Sequence, residues 1–523
     1  MEKRVAIVGA GLSGLLACKY TASKGFNPIV FEAQDEVGGL WNKTIETTRL
    51  QSSKDYFQFS DFPWPSSVED MFPHNTKVLE YIQSYARYFE LLNYIKFNSK
   101  VTSIEYVGQS VEEMQCWEMW GGAGKAFGSK GKWNLKVEYA AEFVVLCIGR
   151  FSGLADIPEF SPGCGPDVFS GKVLHSMDYA AMDNASAAQL IKGKNIAVIG
   201  SGKSAVDIAF ECAIANGNDN PCTVIQRTIH WMLPDSQPWG VSFDFLCFSR
   251  FTELLVHKPG EAFFSSVLAT ILSPLRWAMS KFVESYLRWK LPLKKYDLIP
   301  KESFVQEASS CQILFLPAHN FFDKVEDGSI VFRKSKQFSF CKEGLILDGE
   351  DNNPLKADIV VFATGYKGDE KLKNIFASPT FQNCIAGSPT STIPLYRQMI
   401  HPQIPQLAVI GYSESISNLF TFELRCKWLA LFLDEAFQLP SIKDMEKDIN
   451  TWDKFMKKYS GNGKYRRSCI GGVHIWYNDQ LCKDIGCNPR RKKGFFSELF
   501  EPYNLADYEG LVPSSNYCNS SRI

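Results

Sequence analysis

Residues 4–14 read RVAIVGAGLSG, and this stretch decides the fold. The apolar run Val5–Val8 leads directly into three glycines, the order expected of a β-strand, a tight turn and the first turn of a helix. Gly9 makes the turn, Gly11 lets the backbone approach a pyrophosphate, and Gly14 lets the helix pack on the strand. We therefore predict a dinucleotide site, with the phosphates against the free N–H groups at the start of the helix.

An acidic residue follows this turn at the expected separation. The segment NPIVFEA reads as a second strand that reaches Glu32, about twenty residues downstream. A carboxylate there accepts hydrogen bonds from ribose hydroxyls and repels a phosphorylated ribose, so FAD is the predicted ligand. The loop DEVGGLW comes next, where Gly39 permits close backbone approach and Trp41 can wall a flat ring. A plain turn with a buried tryptophan explains these two residues equally well.

A second glycine motif, NIAVIGSGKSA at 195–205, has the same order of strand, glycine turn and helix as the first. Gly200, Gly202 and Ser204 are the cofactor contacts that we assign to it. The strand CTVIQR follows its helix and ends at Arg227, where a guanidinium can pair with a 2′-phosphate. The second unit is therefore predicted to bind NADPH, the alternative for Arg227 being a solvated charge at the end of a strand.

Composition excludes several classes of protein. The chain has 523 residues, enough for more than one domain, and a net charge of −1, so no global field favours nucleic acid. Its 15 cysteines show neither a CxxC motif nor paired Cys/His spacing, which predicts reduced thiols and no metal site. The longest uncharged apolar stretch, 262–275, is about fourteen residues, too short to span a bilayer.

Two further apolar runs end in glycine. FVVLCIG at 143–149 and ADIVVFATGY at 357–366 both read as buried parallel strands returning to the first sheet, and we assign Thr364 and Gly365 to cofactor binding. The aromatic segment between Pro234 and Asp297 has helical spacing and predicts an inserted helical subdomain. Its core face is expected to carry four aromatic residues, which are Trp277, Phe282, Tyr286 and Trp289.

We predict an α/β fold with two Rossmann-like dinucleotide-binding domains, for FAD and NADPH, and a helical insertion. The predicted FAD domain has two parts, 1–168 and 336–445, and the NADPH domain lies between them at 169–335, with its insertion at about 235–297. A C-terminal extension follows at 446–523, and we predict that its tail, 513–523, is disordered.

The segment FSGKVLHSMDY resembles the FxGxxxHxxxY signature of class B flavin-containing monooxygenases, matched at Phe169, Gly171, His175 and Tyr179. With both glycine motifs and the ATGY at 363–366, the resemblance covers nearly the whole chain. The stretches LQSSKDYFQFSDFPWP and LVHKPGEAFFSS also resemble the plant pathogen-response clade, which is associated with N-hydroxylation of pipecolic acid. The resemblance implies that NADPH reduces bound FAD, that O₂ adds to it, and that a soft nitrogen or sulfur atom is oxygenated.

The sequence departs from this family at one position of chemical interest. Animal-type members present an asparagine to the flavin ahead of a Ser-Lys step, and the matching position here is Gln51. We assign Gln51 as the catalytic carboxamide, the alternative being that this contact is lost. His175 is expected to support the link between domains rather than to act as a base.

Other readings of the same motifs stay open. The signature ends in Tyr179, where Baeyer–Villiger enzymes have a tryptophan, and this difference disfavours oxygenation of a carbonyl. Oxygenation of a carbonyl or of an indole-type substrate by the same flavin hydroperoxide remains an alternative. A disulfide reductase would need a cysteine pair after Gly39, and none is present. A flavin-bound sensor without turnover would leave the NADPH unit unexplained.

The expected partners are a small amine, sulfide or indole substrate and O₂. The motifs do not identify the substrate; if it is a cyclic amino acid, its carboxylate needs a cation, for which Arg49, Lys54 and Arg397 are candidates. We expect no apolar C-terminal anchor, unlike membrane-bound animal members. The expected location is the cytoplasm, with a peripheral membrane contact, as at the endoplasmic reticulum surface, as the alternative.

Overall fold

The computed structural model describes residues 3–349, 353–416, 418–459 and 467–511. The strands of these ranges are β1 (Val5–Val8), β2 (Ile29–Phe31), β3 (Ile95–Lys96), β4 (Ile104–Val107), β5 (Lys132–Leu135), β6 (Tyr139–Ala141), β7 (Phe143–Leu146), β8 (Lys172–His175), β9 (Ile196–Ile199), β10 (Cys222–Gln226), β11 (Met232–Leu233), β12 (Leu314–Phe315), β13 (Ile330–Lys334), β14 (Phe338–Cys341), β15 (Gly344–Leu347), β16 (Leu355–Lys356), β17 (Ile359–Phe362), β18 (Leu407–Val409), β19 (Glu414–Ser415) and β20 (Cys469–Gly471).

The α-helices of the same ranges are α1 (Leu12–Ala22), α2 (Asn75–Tyr88), α3 (Val111–Gln115), α4 (Ser176–Ala180), α5 (Asn184–Ile191), α6 (Lys203–Asn216), α7 (Phe243–Phe248), α8 (Arg250–Leu254), α9 (Phe263–Ile271), α10 (Ser273–Lys290), α11 (Phe304–Ser309), α12 (Phe321–Glu326), α13 (Gly368–Asn374), α14 (Pro379–Ala386), α15 (Asn418–Leu433), α16 (Ile442–Tyr459), α17 (His474–Ile485) and α18 (Phe495–Phe500). Short 3₁₀ turns, among them Gly39–Asn42 and Lys54–Tyr56, connect several of them.

The first sheet contains five parallel strands in the order β18–β7–β1–β2–β3. Ala6 of β1 lies opposite Ile29 of β2 on one side and Val144 of β7 on the other. All residues of β1 and β7 are buried, which explains why both strands read as continuous apolar runs rather than as alternating ones. The α/β fold and the placement of the 143–149 strand in this sheet are confirmed.

The second sheet also contains five parallel strands, in the order β13–β10–β9–β17–β8. Its central strand β9 leads into the second glycine motif. Strand β8 begins in the FSGKVLH segment and lies at one edge. Two parallel sheets, each with a glycine turn after a central strand, are the Rossmann-like arrangement that the sequence predicts.

The prediction that 357–366 returns to the first sheet is wrong. Strand β17 pairs with β8 and β9, with Ile359 opposite Lys172 and Ile196. The antiparallel sheet β14–β15–β16 packs on the same second sheet through residues such as Phe340 and Leu345. An apolar strand ending in glycine is typical of the centre of either parallel sheet, so the pattern could not distinguish them. After residue 336 the chain regains the first sheet only at β18.

The segment between β11 and β12 is helical, and it comprises α7 to α11. Tyr286 is buried as expected, whereas Trp277 and Trp289 are 64% and 65% exposed, so their assignment to the core is wrong. The buried face of α10 instead includes Ser280 and Glu284, which hydrogen bond to each other at 2.9 Å. Val283, Tyr286 and Leu287 complete this face, so the aromatic pattern was right for Tyr286 and wrong for the two tryptophans.

The C-terminal extension is folded against the first sheet's core. Helices α16 and α17 contribute Met445, Trp452 and Ile475 to that core, and β20 pairs with β19. The predicted disordered tail, 513–523, lies outside the described residues. No helix among the described residues is long and apolar enough to cross a membrane. Within the same ranges no cluster of His, Cys, Asp or Glu has the arrangement of a metal site.

Candidate functional site

The first glycine turn lies at the carboxyl end of β1. The N–H of Gly9 donates to the carbonyl of Phe31 at 2.8 Å, and Gly9 has a φ of +103°, which favours glycine. A Cβ on Gly14 would lie 1.8 Å from the carbonyl oxygen of Gly9. Only glycine at position 14 therefore allows α1 to begin this close to the strand.

A second glycine loop packs over the first. A Cβ on Gly39 would lie 3.0 Å from the Cα of Gly11, and the N–H of Gly38 donates to the carbonyl of Ala10 at 3.2 Å. No side chain separates Gly11 from Gly39, so the two loops pack through their backbones and leave the N–H groups at the start of α1 uncovered by side chains from positions 11 and 39. This cradle, which side chains would fill, fits the pyrophosphate of FAD.

Glu32 lies beside this cradle. Its carboxylate is buried, with one oxygen accepting from the N–H of Ala10 at 2.6 Å and the other from the N–H of Gln34 at 2.9 Å. The backbone of Glu32 is fixed by a bond from its N–H to the carbonyl of Lys96. Strand β2 thus holds an acceptor at the edge of the sheet where the ribose of a dinucleotide binds.

Trp41 and Gln51 lie on two neighbouring loops. The ring of Trp41 meets the ring of Phe57 edge-on, with centroids 5.8 Å apart. This contact joins the Gly39 turn to the loop that carries Gln51. Leu50 anchors that loop through its buried side chain and a bond from its N–H to the carbonyl of Pro73, while Gln51 itself is exposed.

The second glycine turn has the same construction at the carboxyl end of β9. The N–H of Gly200 donates to the carbonyl of Ile225 at 2.9 Å, and a Cβ on Gly200 would lie 2.3 Å from the carbonyl oxygen of Ala363. Gly202 precedes the first residue of α6, and a Cβ there would meet no atom within 4 Å. The start of α6 is therefore open to a ligand, which fits the second dinucleotide.

Four further residues assigned to cofactor binding lie near this turn, two of them predicted for the second site and two for the first sheet. Ser204 lies half-buried in the first turn of α6, and Arg227 is exposed directly after β10. Thr364 and Gly365 follow β17, next to Gly200 rather than at the first sheet. Thr364 donates to the carbonyl of Asp156, and the N–H of Asp156 donates to the carbonyl of Gly365 at 3.0 Å.

The signature residues have structural contacts. His175 precedes α4 and its Nδ1 accepts from the N–H of Met177 at 3.1 Å, while burial lowers the pKa of His175. A Cβ on Gly171 would lie 2.4 Å from the carbonyl oxygen of Asp358, so glycine is needed where β8 starts along β17. Phe169 packs on Phe340 with centroids 5.7 Å apart.

A hydrogen-bonded junction connects the loop after the first site to the helix of the second. Glu211 of α6 accepts from the N–H of Thr47 at 3.0 Å and from the hydroxyl of Tyr179 at 2.6 Å. Asp207 of α6 accepts from the hydroxyl of Thr48 at 2.7 Å. Burial raises the pKa of both Glu211 and Tyr179, the neighbouring carboxylate raising that of Tyr179 further. The loop that follows the first glycine turn is therefore attached to the helix of the second turn.

Two basic residues at the first site were missed from the sequence. Lys371 donates to the carbonyl of Ile148 at 2.5 Å and to Ser152 at 2.8 Å, and burial lowers its pKa to about 8 although the charge of Glu32 opposes this shift. Arg150 pairs with Asp369 at 3.5 Å. Arg150 directly follows the 143–149 strand and could have been noted, whereas nothing in the sequence near Lys371 points to Glu32.

The candidate cations for a substrate carboxylate differ in their surroundings. Arg397 pairs with Asp484 at 2.9 Å and with Asp448 at 2.8 Å, so its charge is already neutralised. Arg49 pairs with Asp70, and the amine of Lys54 donates to the carbonyl of Val68. Arg49 and Lys54 flank Gln51 on the same loop, and the side chain of Arg49 is more exposed than that of Arg397.

Comparison with known proteins gives consistent relatives. The model of the flavin-binding monooxygenase-like family matches residues 2–500. The probable flavin-containing monooxygenase 1 of Arabidopsis thaliana is 42% identical over 97% of this chain and 96% of its own length. The rat N-oxide-forming dimethylaniline monooxygenase 2 is 27% identical over 99% of this chain and 88% of its own. The structure of OTEMO with FAD and NADP superposes with a TM-score of 0.63 and 17% identity, covering 92% of this chain and 97% of that one.

Proposed function

The chain belongs to the flavin-binding monooxygenase-like family, and from this premise we propose that it oxygenates a soft nitrogen or sulfur atom of a small molecule. It is an NADPH-dependent flavin monooxygenase, with FAD, NADPH and O₂ as its cofactors and co-substrate. The specific hypothesis is N-hydroxylation of pipecolic acid in plant defence. The rat relative, whose name states N-oxide formation, supports nitrogen as the atom oxidised.

The observation that carries the proposal is the pair of glycine turns with opposite residues at the sugar positions. Glu32 offers a carboxylate beside the first turn, and Arg227 offers a guanidinium beside the second. A carboxylate selects an unphosphorylated ribose and a guanidinium selects a 2′-phosphate. A chain that binds FAD and NADPH at these two turns holds both the flavin that reacts with O₂ and the nicotinamide that reduces the flavin.

Each cofactor has a defined set of proposed contacts. FAD would be held by Gly9, Gly11, Gly14, Glu32, Gly39 and Trp41, and NADPH by Gly200, Gly202, Ser204, Arg227, Thr364 and Gly365. The reduced flavin supplies the activation of O₂ when bound. The chain binds and orients both dinucleotides and excludes water, and Gln51 is proposed to donate a hydrogen bond at the reacting centre.

We propose a domain division that moves the predicted boundary at 335/336, because β14 to β17 belong to the second sheet or pack on it. The proposed FAD domain starts at the N-terminus and resumes with α13, after β17. The NADPH domain then spans the signature segment to Gly365 and includes the helical insertion. We propose a cytoplasmic location for the enzyme.

Pipecolic acid carries a carboxylate, and two cations are left to bind it. Arg397 is buried between two aspartates, whereas the pair of Arg49 with Asp70 is exposed and open to exchange. We therefore propose that Arg49 or Lys54, on the loop of Gln51, provides the contact. This places the carboxylate contact and the catalytic amide on one loop. Arg49→Ala should then raise KM for pipecolate more than KM for a neutral thioether.

The experiment is a product analysis with the purified flavin-loaded enzyme. Pipecolate, a tertiary amine, a thioether, an indole and a cyclic ketone are each incubated with NADPH and O₂, and products are identified by mass spectrometry alongside NADPH and peroxide. A mass gain of one oxygen on pipecolate, in proportion to NADPH consumed, supports the proposal. Oxygen insertion into the ketone alone identifies a Baeyer–Villiger enzyme, and peroxide release without any product contradicts catalysis of oxygenation.

A further inference from the structure

Two thiols from distant parts of the chain lie in contact. The Sγ of Cys469 donates to the Sγ of Cys311 at 3.5 Å, across 158 residues of sequence. Cys469 is the first residue of β20, which pairs with β19, and Cys311 follows α11 in the helical insertion. We call Cys311 and Cys469 the thiol pair. Because Cys311 packs against the core of the first sheet, the thiol pair lies where the insertion meets that core.

The backbone holds the two segments of the thiol pair together. Gly471 of β20 has a φ of +59°, and a Cβ there would lie 1.7 Å from the carbonyl oxygen of Ser309 in α11. Glycine at position 471 therefore lets β20 lie directly against the last turn of this helix. The two thiols are carried by segments in backbone contact, so that contact, and not flexible side chains alone, sets their separation.

The backbone conformation at Cys311 is unusual for a cysteine. Cys311 has a φ of +55° and is the left-handed residue that ends α11. Its N–H donates to the carbonyl of Ala308 at 3.2 Å, and the N–H of Gln312 donates to the carbonyl of Glu307 at 3.0 Å. Glycine is the usual residue at this position of such a helix end, because a Cβ is disfavoured there. A cysteine accepts this conformational cost, which points to a role for its side chain.

The two members of the thiol pair differ in their access to solvent. Cys311 is half-buried, so solvent reaches this residue, whereas Cys469 is fully buried in contact with it. Access of an oxidant decides which thiols react. The thiols of Cys212 and Cys222 also interact, but both residues are fully buried. That second pair provides an internal comparison in which neither residue is open to solvent.

We propose that the thiol pair is an oxidative modification site, at which hydrogen peroxide converts Cys311 and Cys469 into a disulfide. Peroxide first oxidises the thiolate of Cys311 to a sulfenic acid and leaves as hydroxide. The sulfur of Cys469 then attacks the sulfur of Cys311, and the sulfenic hydroxyl group leaves with the Cys469 proton as water. In total the two thiols lose two electrons and two protons, and peroxide is reduced to two molecules of water.

The disulfide would join the helical insertion to the C-terminal extension. The sulfur atoms must approach by about 1.5 Å, since an S–S bond is about 2.0 Å long, and side-chain rotation covers this distance without separating β20 from α11. A reducing compartment opens such a bond again, so the modification is reversible. Because the bond closes a loop of about 160 residues in the unfolded chain, it stabilises the folded protein.

The test uses the flavin-loaded full chain, which is reduced, separated from the reductant and exposed to hydrogen peroxide. Remaining thiols are alkylated under denaturing conditions, and peptides from an unreduced digest are identified by mass spectrometry. We expect a peptide pair joined through Cys311 and Cys469, whereas Cys212 and Cys222 are found alkylated. Dithiothreitol should reverse the link. The linked protein should unfold about 2–5 °C above the reduced protein.

Three variants accompany this measurement. Cys469→Ala should leave Cys311 as a sulfenic acid that dimedone traps, and Cys311→Ser should leave Cys469 reduced. Cys341→Ser, at another half-buried cysteine, is the control and should form the link as the parent does.

Two results would overturn the proposal. One is that peroxide leaves Cys311 and Cys469 unlinked to each other. The other is a link that raises the unfolding temperature no more than peroxide treatment raises that of the Cys311→Ser variant. Neither measurement requires turnover of a substrate, so a failure here is separate from a failure of the proposed oxygenation.

Discussion

The hydroxyl of Tyr179 donates a 2.6 Å hydrogen bond to Oε2 of Glu211. The other oxygen of the same carboxylate accepts from the backbone N–H of Thr47 at 3.0 Å. Glu211 therefore joins three segments that are distant in sequence: the loop after the first glycine turn, the signature segment, and the helix of the second turn. This explains in physical terms why a tyrosine ends the signature.

Tyr179→Phe is expected to weaken this junction. Glu211 would lose one of two partners in a site where burial already disfavours its charge, so the free energy of unfolding should fall by about 1–2 kcal/mol. Urea denaturation followed by circular dichroism measures the change. Tyr88→Phe, at an exposed tyrosine of α2, is the matched control, and equal stability of the two variants would argue against the junction.

Gly14→Ala and Gly202→Ala are expected to differ. The methyl group at position 14 would lie 1.8 Å from a backbone oxygen, so α1 must move; we expect loss of bound flavin and about 3 kcal/mol or more of stability. The methyl group at position 202 meets no protein atom within 4 Å, so this variant should keep its flavin and show a raised KM for NADPH. The flavin-to-protein absorbance ratio separates them. Full flavin in the Gly14 variant would contradict the assignment of the first turn.

Arg227→Ala tests the choice of nicotinamide cofactor. Loss of a charge-assisted contact to a 2′-phosphate should raise KM for NADPH by about 10- to 100-fold and leave KM for NADH nearly unchanged. Steady-state kinetics with both cofactors gives the comparison. Arg87→Ala, at an exposed arginine of α2, should change neither value. If the Arg227 variant kept its preference for NADPH over NADH, another residue would have to bind the 2′-phosphate.

Glu253 of α8 predicts a pH dependence of stability. Burial raises its pKa from 4.5 to about 7, with the charge of Lys258 opposing the shift. Because the folded protein holds this proton more tightly, the stabilisation is complete below pH 4.5 and is lost as the pH rises through 7.

The corresponding loss is about 3 kcal/mol by linkage. Glu253→Gln can still accept from the N–H of Trp476 but cannot ionise, so the variant should lack this decline. The parent-minus-variant difference in the free energy of unfolding, measured by urea denaturation, should therefore fall between pH 4.5 and 7. Glu105→Gln, at an exposed position of β4, serves as the control. A difference that does not vary with pH would show that Glu253 is ionised throughout.

The local parts of the site could be predicted from the sequence because their constraints are local. A φ of +103° at Gly9 and the close approach at Gly14 each require glycine, and the spacing to Glu32 follows from one strand–helix–strand unit. Any chain that builds such a turn therefore shows the same spacing of glycines and acidic residue in its sequence. The Rossmann-like fold class follows from two of these units.

The remaining parts depend on contacts that are distant in sequence. Strand β17 has the pattern of a central parallel strand, and only its pairing with β8 and β9 assigns it to the second sheet. Lys371 reaches the neighbourhood of Glu32 from a helix more than three hundred residues later. Trp277 and Trp289 show helical spacing, yet both are exposed, and the buried face of α10 includes Ser280, Val283, Glu284, Tyr286 and Leu287. Periodicity shows which residues share one face of a helix, but it does not show whether that face is buried against the rest of the protein.

The most direct test of the account is the visible spectrum of the purified protein during anaerobic titration with NADPH. We predict a yellow protein with about one flavin per chain, bleached rapidly by NADPH, far more slowly by NADH, and restored to yellow by O₂. A colourless protein, or a bound flavin that NADPH does not reduce, would contradict the claim that these two glycine turns form a coupled pair of FAD and NADPH sites.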